Sequence, residues 1–467
     1  MVALGTGLTA CGGSSIFVDK GVPFKNPLII PDELQGTDVG GRLQYDINLQ
    51  KGNTTFIDGL STPTWGANGS YLGPTIRLQN GANVDINFTN KLGESTTVHG
   101  HGMHVPANMD GGAHQVIAAN TTWISSYTVN QDACTNWYHP HLMGKTAQHV
   151  MNGLAGLIIV DDSNSDALNL PKTYGVDNIP LIVQDRSFNA DGSFNYAPSN
   201  MQIMQGWKGD TFMVNGVIDP YVDVEAKHVR FRILNGSNSR LYTFAFASGK
   251  AFQQIATENA FLESPVELTQ LTLSPGERAE IVVDFSSDLA KEEILKDLRS
   301  GKELMKVKVV KAAQPSTIPS GLVTLPRLAT PKTVTRTFYL GSTGGMGGGM
   351  GGGPSGMLTI NGKSMNMAVI NETIPVNTVE LWEVRNNMMM DHNFHIHATH
   401  FQLVSRNGGA VPANEQGFKD TVYIPPGESV QFVVQMTDYI DAISPYMYHC
   451  HILEHEDAGM MGQFVVV

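Results

Sequence analysis

Residues 42–49, Arg-Leu-Gln-Tyr-Asp-Ile-Asn-Leu, alternate polar and apolar side chains without interruption. Strict alternation over this length predicts a β strand with one buried face, because successive side chains of a strand point to opposite faces. Further strand patterns recur along the chain, at residues 84–88, 229–234 and 379–384 among others. Three blocks of short strands joined by turns predict an all-β fold of three β sandwiches or barrels.

The length of 467 residues agrees with three domains of about 150 residues each. An acidic and polar stretch at 161–166 marks the first boundary, and a proline-rich linker precedes the last block of strands. Helical periodicity is clear only at 289–298, where we expect a helix. The predicted division is a tail and arm at 1–40, domains at 41–165, 166–313 and 334–467, and a linker at 314–333.

The composition limits the partners of the chain. A formal net charge of −13 argues against nucleic-acid binding, which requires a basic surface, and suits metal cations and cationic substrates. No apolar run approaches the roughly 20 residues that cross a bilayer, so we expect no membrane span. Residues 8–15 resemble a bacterial lipoprotein cleavage box, although the basic and apolar segments usual upstream are missing. We expect a monomer that is periplasmic, at the cell surface or secreted, with Cys11 as a candidate lipid anchor.

Ten of the 15 histidines fall into four short clusters. The clusters are His99-Gly100-His101, His139-Pro140-His141, His392-Asn393-Phe394-His395-Ile396-His397, and His449-Cys450-His451 continued by His455 and Met460. A lone His-x-His pair is weak evidence, because histidines in solvent or in a core explain most such pairs. Four clusters, one of them around a cysteine, indicate a metal centre.

Strand geometry predicts in which directions the side chains around Cys450 point. Residues i and i+2 of a strand point to one face and residue i+1 to the other, so each His-x-His pair aims two imidazoles at one place. The sulfur of Cys450 then points away from the rings of His449 and His451. A metal on Cys450 is therefore separate from metals on the flanking histidines, yet only a few covalent bonds away. The motif predicts a path for electrons between an entry site and a reaction site.

The ligand types favour copper. One thiolate, two imidazoles and a distant thioether describe a blue-copper electron-transfer centre. Cys450, His455 and Met460 come from one segment, and His392 is the candidate for the second imidazole. The eight other clustered histidines, in four pairs, can hold three copper ions. Zinc is the weaker alternative, because it has no redox role.

In their order and separation, these motifs resemble the copper signatures of multicopper oxidases over nearly the whole chain from about residue 40. Within the family, Asp110-Gly111-Gly112 and residues 453–461 are similar to the bacterial copper-efflux (cuprous) oxidases and bacterial laccases. The resemblance implies three cupredoxin-like domains, four copper ions and dioxygen as the electron acceptor. Division-associated paralogues of this fold lack the ligands, which disfavours a structural role.

The resemblance also implies a place for each ligand. It assigns His392, Cys450, His455 and axial Met460 to one type 1 copper, His99 and His395 to one type 2 copper, and His101, His139, His141, His397, His449 and His451 to two type 3 coppers.

Two carboxylates and one glycine lie within or close to these motifs. Asp110 and Glu456 lie where the family places acidic groups that relay protons for the reduction of dioxygen. The alternative interpretation is a carboxylate that hydrogen-bonds a ligand histidine, and the two roles can coexist. Gly100 replaces the tryptophan that is usual in the first motif, so we expect a cluster that is either more accessible or less rigid.

Methionines bear on the identity of the reductant. The glycine-rich segment 344–353 carries Met346 and Met350, whose thioethers suit Cu(I); the alternative is a flexible loop with incidental methionines. Met390 matches a family methionine that binds substrate Cu(I), whereas Met388 replaces a family aspartate. The substrate site of this chain is therefore either built from thioethers alone or not a metal site. Three functions stay open: oxidation of Cu(I) for copper tolerance, laccase-like oxidation of phenols, aromatic amines or other metal ions, and non-catalytic copper buffering.

Overall fold

The computed structural model describes residues 23–314, 316–342 and 358–467, and within them the chain forms three pairs of β sheets. The all-β fold with three cupredoxin-like units is confirmed. Cys11, Met346 and Met350 lie outside the described residues. No helix of the described part is long and apolar enough to cross a membrane.

The first sheet pair is built from strands that end at residue 161. The first strand of the described chain is β1 (Asn26–Pro27), which joins the second sheet pair. The strands of the first sheet pair are β2 (Glu33–Leu34), β3 (Thr37–Val39), β4 (Arg42–Thr54), β5 (Thr62–Ala67), β6 (Thr75–Gln79), β7 (Asn83–Lys91), β8 (His99–His101), β9 (Thr122–Thr128), β10 (Cys134–His139) and β11 (Gly156–Asp161). One sheet has the order β2-β6-β11-β10-β8, and the other has β3-β4-β7-β9 with β5 added to β4. Ile86 and Ile158 meet in the core between them.

The second sheet pair follows. Its strands are β12 (Asn178–Arg186), β13 (Thr211–Val214), β14 (Val217–Ile218), β15 (Pro220–Ala226), β16 (His228–Asn235), β17 (Tyr242–Phe246), β18 (Phe252–Ala256), β19 (Phe261–Leu268), β20 (Leu271–Leu273), β21 (Arg278–Asp284), β22 (Glu292–Asp297) and β23 (Glu303–Ala312). The sheet orders are β14-β13-β12-β16-β21-β18-β19 and β1-β15-β23-β22-β17-β20. Phe231 and Phe244 belong to the core that these sheets enclose.

The third sheet pair ends the chain. Its strands are β24 (Arg336–Ser342), β25 (Leu358–Ile360), β26 (Glu372–Ile374), β27 (Val379–Asn386), β28 (His392–Ile396), β29 (Phe401–Arg406), β30 (Thr421–Ile424), β31 (Ser429–Gln435), β32 (Asp441–His449) and β33 (Met461–Val466). The sheet orders are β25-β24-β27-β31-β29 and β26-β33-β32-β28-β30. Phe394 and Phe432 pack between them, with ring centroids 6.2 Å apart.

Four short α helices connect these sheets: α1 (Thr146–Asn152), α2 (Ser163–Ala167), α3 (Asn200–Gln205) and α4 (Leu453–Asp457). Single 3₁₀ turns lie at Ala107–Met109 and Ala413–Glu415. The helix α3 begins with a reciprocal cap, in which Ser199 accepts from the backbone of Gln202 and the Gln202 side chain accepts from the backbone of Ser199.

Two expectations from the sequence are corrected. The helix expected at 289–298 is wrong: this segment forms β22, which pairs with β17 and β23. Hydrogen bonds to these two strands stabilise the extended conformation, and the helical periodicity of the segment alone does not indicate them. The arm expected to be irregular up to residue 40 contributes β1, β2 and β3, because its backbone adds to sheet edges. The domain boundaries themselves stay predictions.

Candidate metal centre

Strand pairing brings the four histidine clusters together. In the first sheet pair, antiparallel β8 and β10 place His99 opposite His139. In the third, antiparallel β28 and β32 place His395 opposite His449. The eight histidines of the four His-x-His pairs are all buried, and they form one cluster where the first and third sheet pairs meet. We call these eight side chains the histidine cluster.

Nitrogen atoms of the histidine cluster converge across the two sheet pairs. The Nε2 atom of His449 lies 3.1 Å from Nε2 of His141 and 3.1 Å from Nε2 of His397. His139 Nε2 lies 3.4 Å from His101 Nδ1. The ring centroid of His451 is 4.8 Å from that of His101. The convergence that the spacing predicts is therefore present.

The donor atoms of the histidine cluster fit bound cations. Nε2 of His99, Nε2 of His395 and both ring nitrogens of His451 are buried without a hydrogen-bond partner. Buried polar atoms are normally paired, so these nitrogens fit a ligand role. Burial also holds the pKa of His449 well below its ordinary value and lowers the pKa of His397 to about 3. Burial therefore favours the neutral form of these two rings, as metal binding requires.

A second group of donors surrounds Cys450. Its Sγ atom lies 3.4 Å from Nδ1 of His392 and 3.6 Å from Nδ1 of His455, and the two histidine nitrogens are 3.1 Å apart. Met460 is fully buried in the same apolar cluster, and its carbonyl accepts from the Cys450 backbone N–H. Burial raises the pKa of the Cys450 thiol to about 12, so a thiolate forms here only beside a cation that balances it.

The two metal-binding groups lie on opposite sides of one extended segment. The ring of His449 contacts His141 and His397, whereas the sulfur of Cys450 turns to His392 and His455. Asn393 holds this segment in place. Its side-chain oxygen accepts from the His451 backbone N–H at 2.6 Å, and its amide donates to the carbonyl of Pro275 in the second sheet pair.

Asp110 and Glu456 both contact the histidine cluster, but with different protonation. Asp110 Oδ2 lies 2.7 Å from His397 Nδ1. Burial would raise the pKa of Asp110, but hydrogen bonds from His397 and His99 stabilise its carboxylate and lower this pKa below its ordinary value. Burial raises the pKa of Glu456, whose oxygens lie 3.4 Å from His141 Nδ1 and 3.5 Å from His449 Nδ1. The surroundings of Asp110 thus favour its charged form, whereas burial favours the protonated form of Glu456.

Asp420 and Arg278 are site residues that the sequence reasoning missed. Asp420 Oδ1 accepts from Nε2 of His101 at 2.9 Å, which leaves Nδ1 of that ring facing the cluster. Arg278, from the second sheet pair, donates to both Asp420 oxygens at 2.8 and 2.6 Å. One carboxylate therefore joins all three sheet pairs. No local pattern marks either residue, because 142 positions separate them.

Of the two alternatives for Gly100, the structure does not show a more accessible cluster, and a less rigid cluster stays a prediction. His99 and His101 are 1% and 0% exposed. A Cβ atom at residue 100 would lie 3.2 Å from Cγ of Met103, so this methionine occupies the space beside the glycine. The glycine therefore reflects packing against Met103 and does not expose the neighbouring rings.

The methionines before His392 have different surroundings. Sδ of Met388 lies 3.2 Å from Nε2 of His392. Met389 is 93% exposed, and the carbonyl of Met390 accepts from the Asn386 side chain. The thioether that reaches the ring is therefore that of Met388, whereas the sequence comparison singled out Met390. On the other side, the carbonyl of Met204 in α3 accepts from His455 Nε2 at 3.2 Å.

Comparison with known proteins agrees with this geometry. The multicopper oxidase family profiles match residues 48–165 and 330–467. Multicopper oxidase mco of Staphylococcus haemolyticus is 35% identical over 95% of this chain and 93% of its own length. Cell division protein FtsP of Dickeya dadantii is 33% identical over 98% of this chain and 96% of its own. A laccase structure from Pediococcus acidilactici superposes with a TM-score of 0.86 at 34% identity, covering 95% of each chain.

Three paired sheets, a buried cysteine beside two histidines and a cluster of eight histidines agree with the multicopper oxidase family, whose members are generally oxidoreductases. The chain belongs to the multicopper oxidase family.

Proposed function

We propose that the protein oxidises Cu(I) and passes the electrons to dioxygen, which is reduced to water. The observation that carries this proposal is the position of Cys450, whose sulfur contacts His392 and His455 while its chain neighbours belong to the histidine cluster. We assign His392, Cys450, His455 and Met460 to one type 1 copper, His99 and His395 to one type 2 copper, and His101, His139, His141, His397, His449 and His451 to two type 3 coppers.

Copper at these residues supplies one-electron redox chemistry and the binding of dioxygen. The chain supplies a covalent path, which runs from Cys450 Sγ through its backbone to the rings of His449 and His451. It also supplies protons, of which four are consumed for each dioxygen reduced to two waters. Glu456 is buried between His141 and His449, and burial favours its protonated form, so we propose it as the proton donor. Asp110 accepts from His397 and fixes the orientation of that ring.

Thioethers around His392 and His455 favour Cu(I) as the reductant. Met388 touches the outer edge of His392, and the exposed Met389 follows it. Helix α3 adds Met201, which is 69% exposed, and Met204. Thioether sulfur is a soft ligand that selects Cu(I). The segment before His392 and the helix whose Met204 carbonyl contacts His455 therefore both carry methionines, independently of Met346 and Met350.

The experiment that tests this function compares reductants on the copper-loaded protein. Oxygen uptake is measured with a Cu(I) complex and with a phenolic dye, each with and without added Cu(II). We expect a higher kcat/KM for Cu(I), with four Cu(I) oxidised for each dioxygen consumed. A higher kcat/KM for the phenol would contradict the choice of substrate, and no oxygen uptake with either would contradict the oxidase function.

Met388→Leu is expected to separate the two reductants. The substitution keeps the apolar volume but removes the sulfur at the His392 edge. We expect the ratio of kcat/KM for Cu(I) to kcat/KM for a phenol to fall about tenfold, equivalent to about 1.4 kcal/mol. Met436→Leu is the matched control, because Met436 is a buried methionine of the same core without a contact to His392. An unchanged ratio would exclude Met388 from the entry site.

Glu456→Gln is expected to slow the reduction of dioxygen by about a hundredfold, because glutamine has the shape of glutamate but carries no transferable proton. The visible absorption of the type 1 site should stay intact, since Glu456 is not one of the four residues that we assign to that copper. Turnover is measured under saturating reductant, together with the copper content. Unchanged turnover would remove Glu456 from the proton relay.

A laccase-like oxidation of phenols or aromatic amines is the second candidate. It is supported by the similarity to the Pediococcus acidilactici laccase over 95% of the chain. Non-catalytic copper buffering is a third, minor candidate, and similarity to FtsP leaves a non-catalytic role to be tested. The complete set of buried donors at both metal-binding groups favours a catalyst over either non-catalytic role. Export from the cytoplasm remains part of the proposal.

A further inference from the structure

Five methionines pack together on the side of the histidine cluster that faces away from Cys450. Met447 and Met461 are buried, and Met143, Met365 and Met367 are half-buried against them. The only other member of this small apolar cluster among the described residues is Ala113. We call these five side chains the methionine cluster. It extends from the protein surface to the interior.

Strand register places the inner end of the methionine cluster next to the histidine cluster. Met461 of β33 lies opposite His449 of β32, and Met447 precedes His449 by two residues on the same strand. Both thioethers therefore share the sheet face of the His449 ring. At Gly112, a Cβ atom would lie 3.1 Å from Asp110 Oδ2 and 3.7 Å from Met447 Sδ. The thioether of Met447 is thus close to the carboxylate that holds His397.

An imidazole stands at the outer part of the same cluster. Nε2 of the exposed His114 lies 2.9 Å from Oε1 of Gln463, and the Gln463 side-chain amide donates to the carbonyl of Met367. This region is separate from the proposed type 1 ligands, because Met388 contacts His392 and the Met204 carbonyl contacts His455 on the other face of the His-Cys-His segment.

Packing alone does not account for the composition of this region. Methionine fills irregular gaps in a core, but leucine and isoleucine fill such gaps elsewhere in the first and third sheet pairs. Here every long apolar side chain is a thioether. Several adjacent thioethers form a soft donor set, which selects monovalent copper over hard cations.

We propose that the methionine cluster is a second Cu(I)-binding site, separate from the type 1 side and next to the histidine cluster. Binding there is coordination only: each sulfur donates a lone pair, no proton is released and copper keeps its oxidation state. The site opens to solvent at Met143, Met365 and Met367 and ends at Met447. This inference is independent of the reductant that the type 1 side accepts.

Ag(I) tests the site, because it imitates Cu(I) without redox chemistry. The oxidised, copper-loaded protein is treated with hydrogen peroxide with and without Ag(I), and sulfoxide formation is followed for each methionine by peptide mass spectrometry. We expect Ag(I) to slow the oxidation of Met143, Met365 and Met367 about tenfold, because a coordinated sulfur is a poor nucleophile. Protection of Met388 and Met389 alone would overturn the proposal, whatever the outcome for Cu(I) oxidation.

A double variant gives the stoichiometry. Met365→Leu with Met367→Leu is expected to lose one bound Ag(I) in equilibrium dialysis and to keep its four coppers and visible absorption. Met109→Leu is the matched control, because Met109 is a half-buried methionine that packs in the core of the first sheet pair. Retention of all bound Ag(I) by the double variant would refute the site. If that variant fails to fold, Met143→Leu and the protection pattern of the unsubstituted protein decide.

Discussion

Cys450→Ser is expected to remove the visible absorption of the protein and to lower its oxidase kcat by about a thousandfold or more, at least about 4 kcal/mol of activation free energy. Serine has nearly the size of cysteine, so the eight rings of the histidine cluster should keep their positions. Its hydroxyl is a poor ligand for a soft metal and does not continue the path from the entry site. Copper analysis should fall from four ions per chain to three.

The matched control is Cys134→Ser. Cys134 is the other cysteine of the described residues, and it is buried in β10 of the first sheet pair. Its sulfur accepts from the side chains of Gln131 and Asn136, and hydroxyl oxygen can accept from them too. We expect this variant to keep the visible absorption and the turnover. A Cys450→Ser protein that stays blue or retains turnover would contradict the assignment of the type 1 site.

Arg278→Leu is expected to lower the free energy of unfolding by about 3–5 kcal/mol, because it leaves the carboxylate of Asp420 buried without its partner. Both side chains are 0% exposed. The same guanidinium also donates to the Thr135 carbonyl in the first sheet pair, so its loss weakens contacts among all three pairs. Because Asp420 orients His101, the copper content of the histidine cluster should fall as well. Urea unfolding and copper analysis measure the two effects.

Two further variants separate a general loss of charge from the loss of this ion pair. Arg327→Leu removes the partner of Glu263 at a pair in which both side chains are nearly half exposed. That change should cost less than about 1 kcal/mol, since exposed ion pairs stabilise little. Arg278→Leu combined with Asp420→Asn should be more stable than Arg278→Leu alone, because no buried charge remains unpaired. Equal losses for Arg278→Leu and Arg327→Leu would refute the proposed role of Arg278.

The features that the sequence predicted well are encoded locally. Alternation predicted strands such as β4 and β7, and the spacing of His449, Cys450 and His451 predicted two metal-binding groups on opposite sides of one segment. Both inferences need only the two-residue repeat of a strand. The helix expected at 289–298 failed because pairing with β17 and β23 decided the conformation there.

The features that the sequence did not predict depend on contacts between distant parts of the chain. Asp420 and Arg278 become site residues only when the second sheet pair packs against the third. The cluster of Met143, Met365 and Met461 assembles from three separate segments in the same way. No short motif signals these groups, because their chemistry depends on burial and proximity and not on spacing along the chain.

The central claim is that electrons collected at Cys450 pass within the molecule to the histidine cluster. Pulsed reduction of the copper-loaded protein tests it most directly. A brief pulse of reductant bleaches the type 1 absorption without oxygen, and the recovery of the absorption is then followed at several protein concentrations. We predict a first-order recovery with a rate that does not depend on protein concentration. No recovery, or a rate that rises in proportion to protein concentration, would contradict the account.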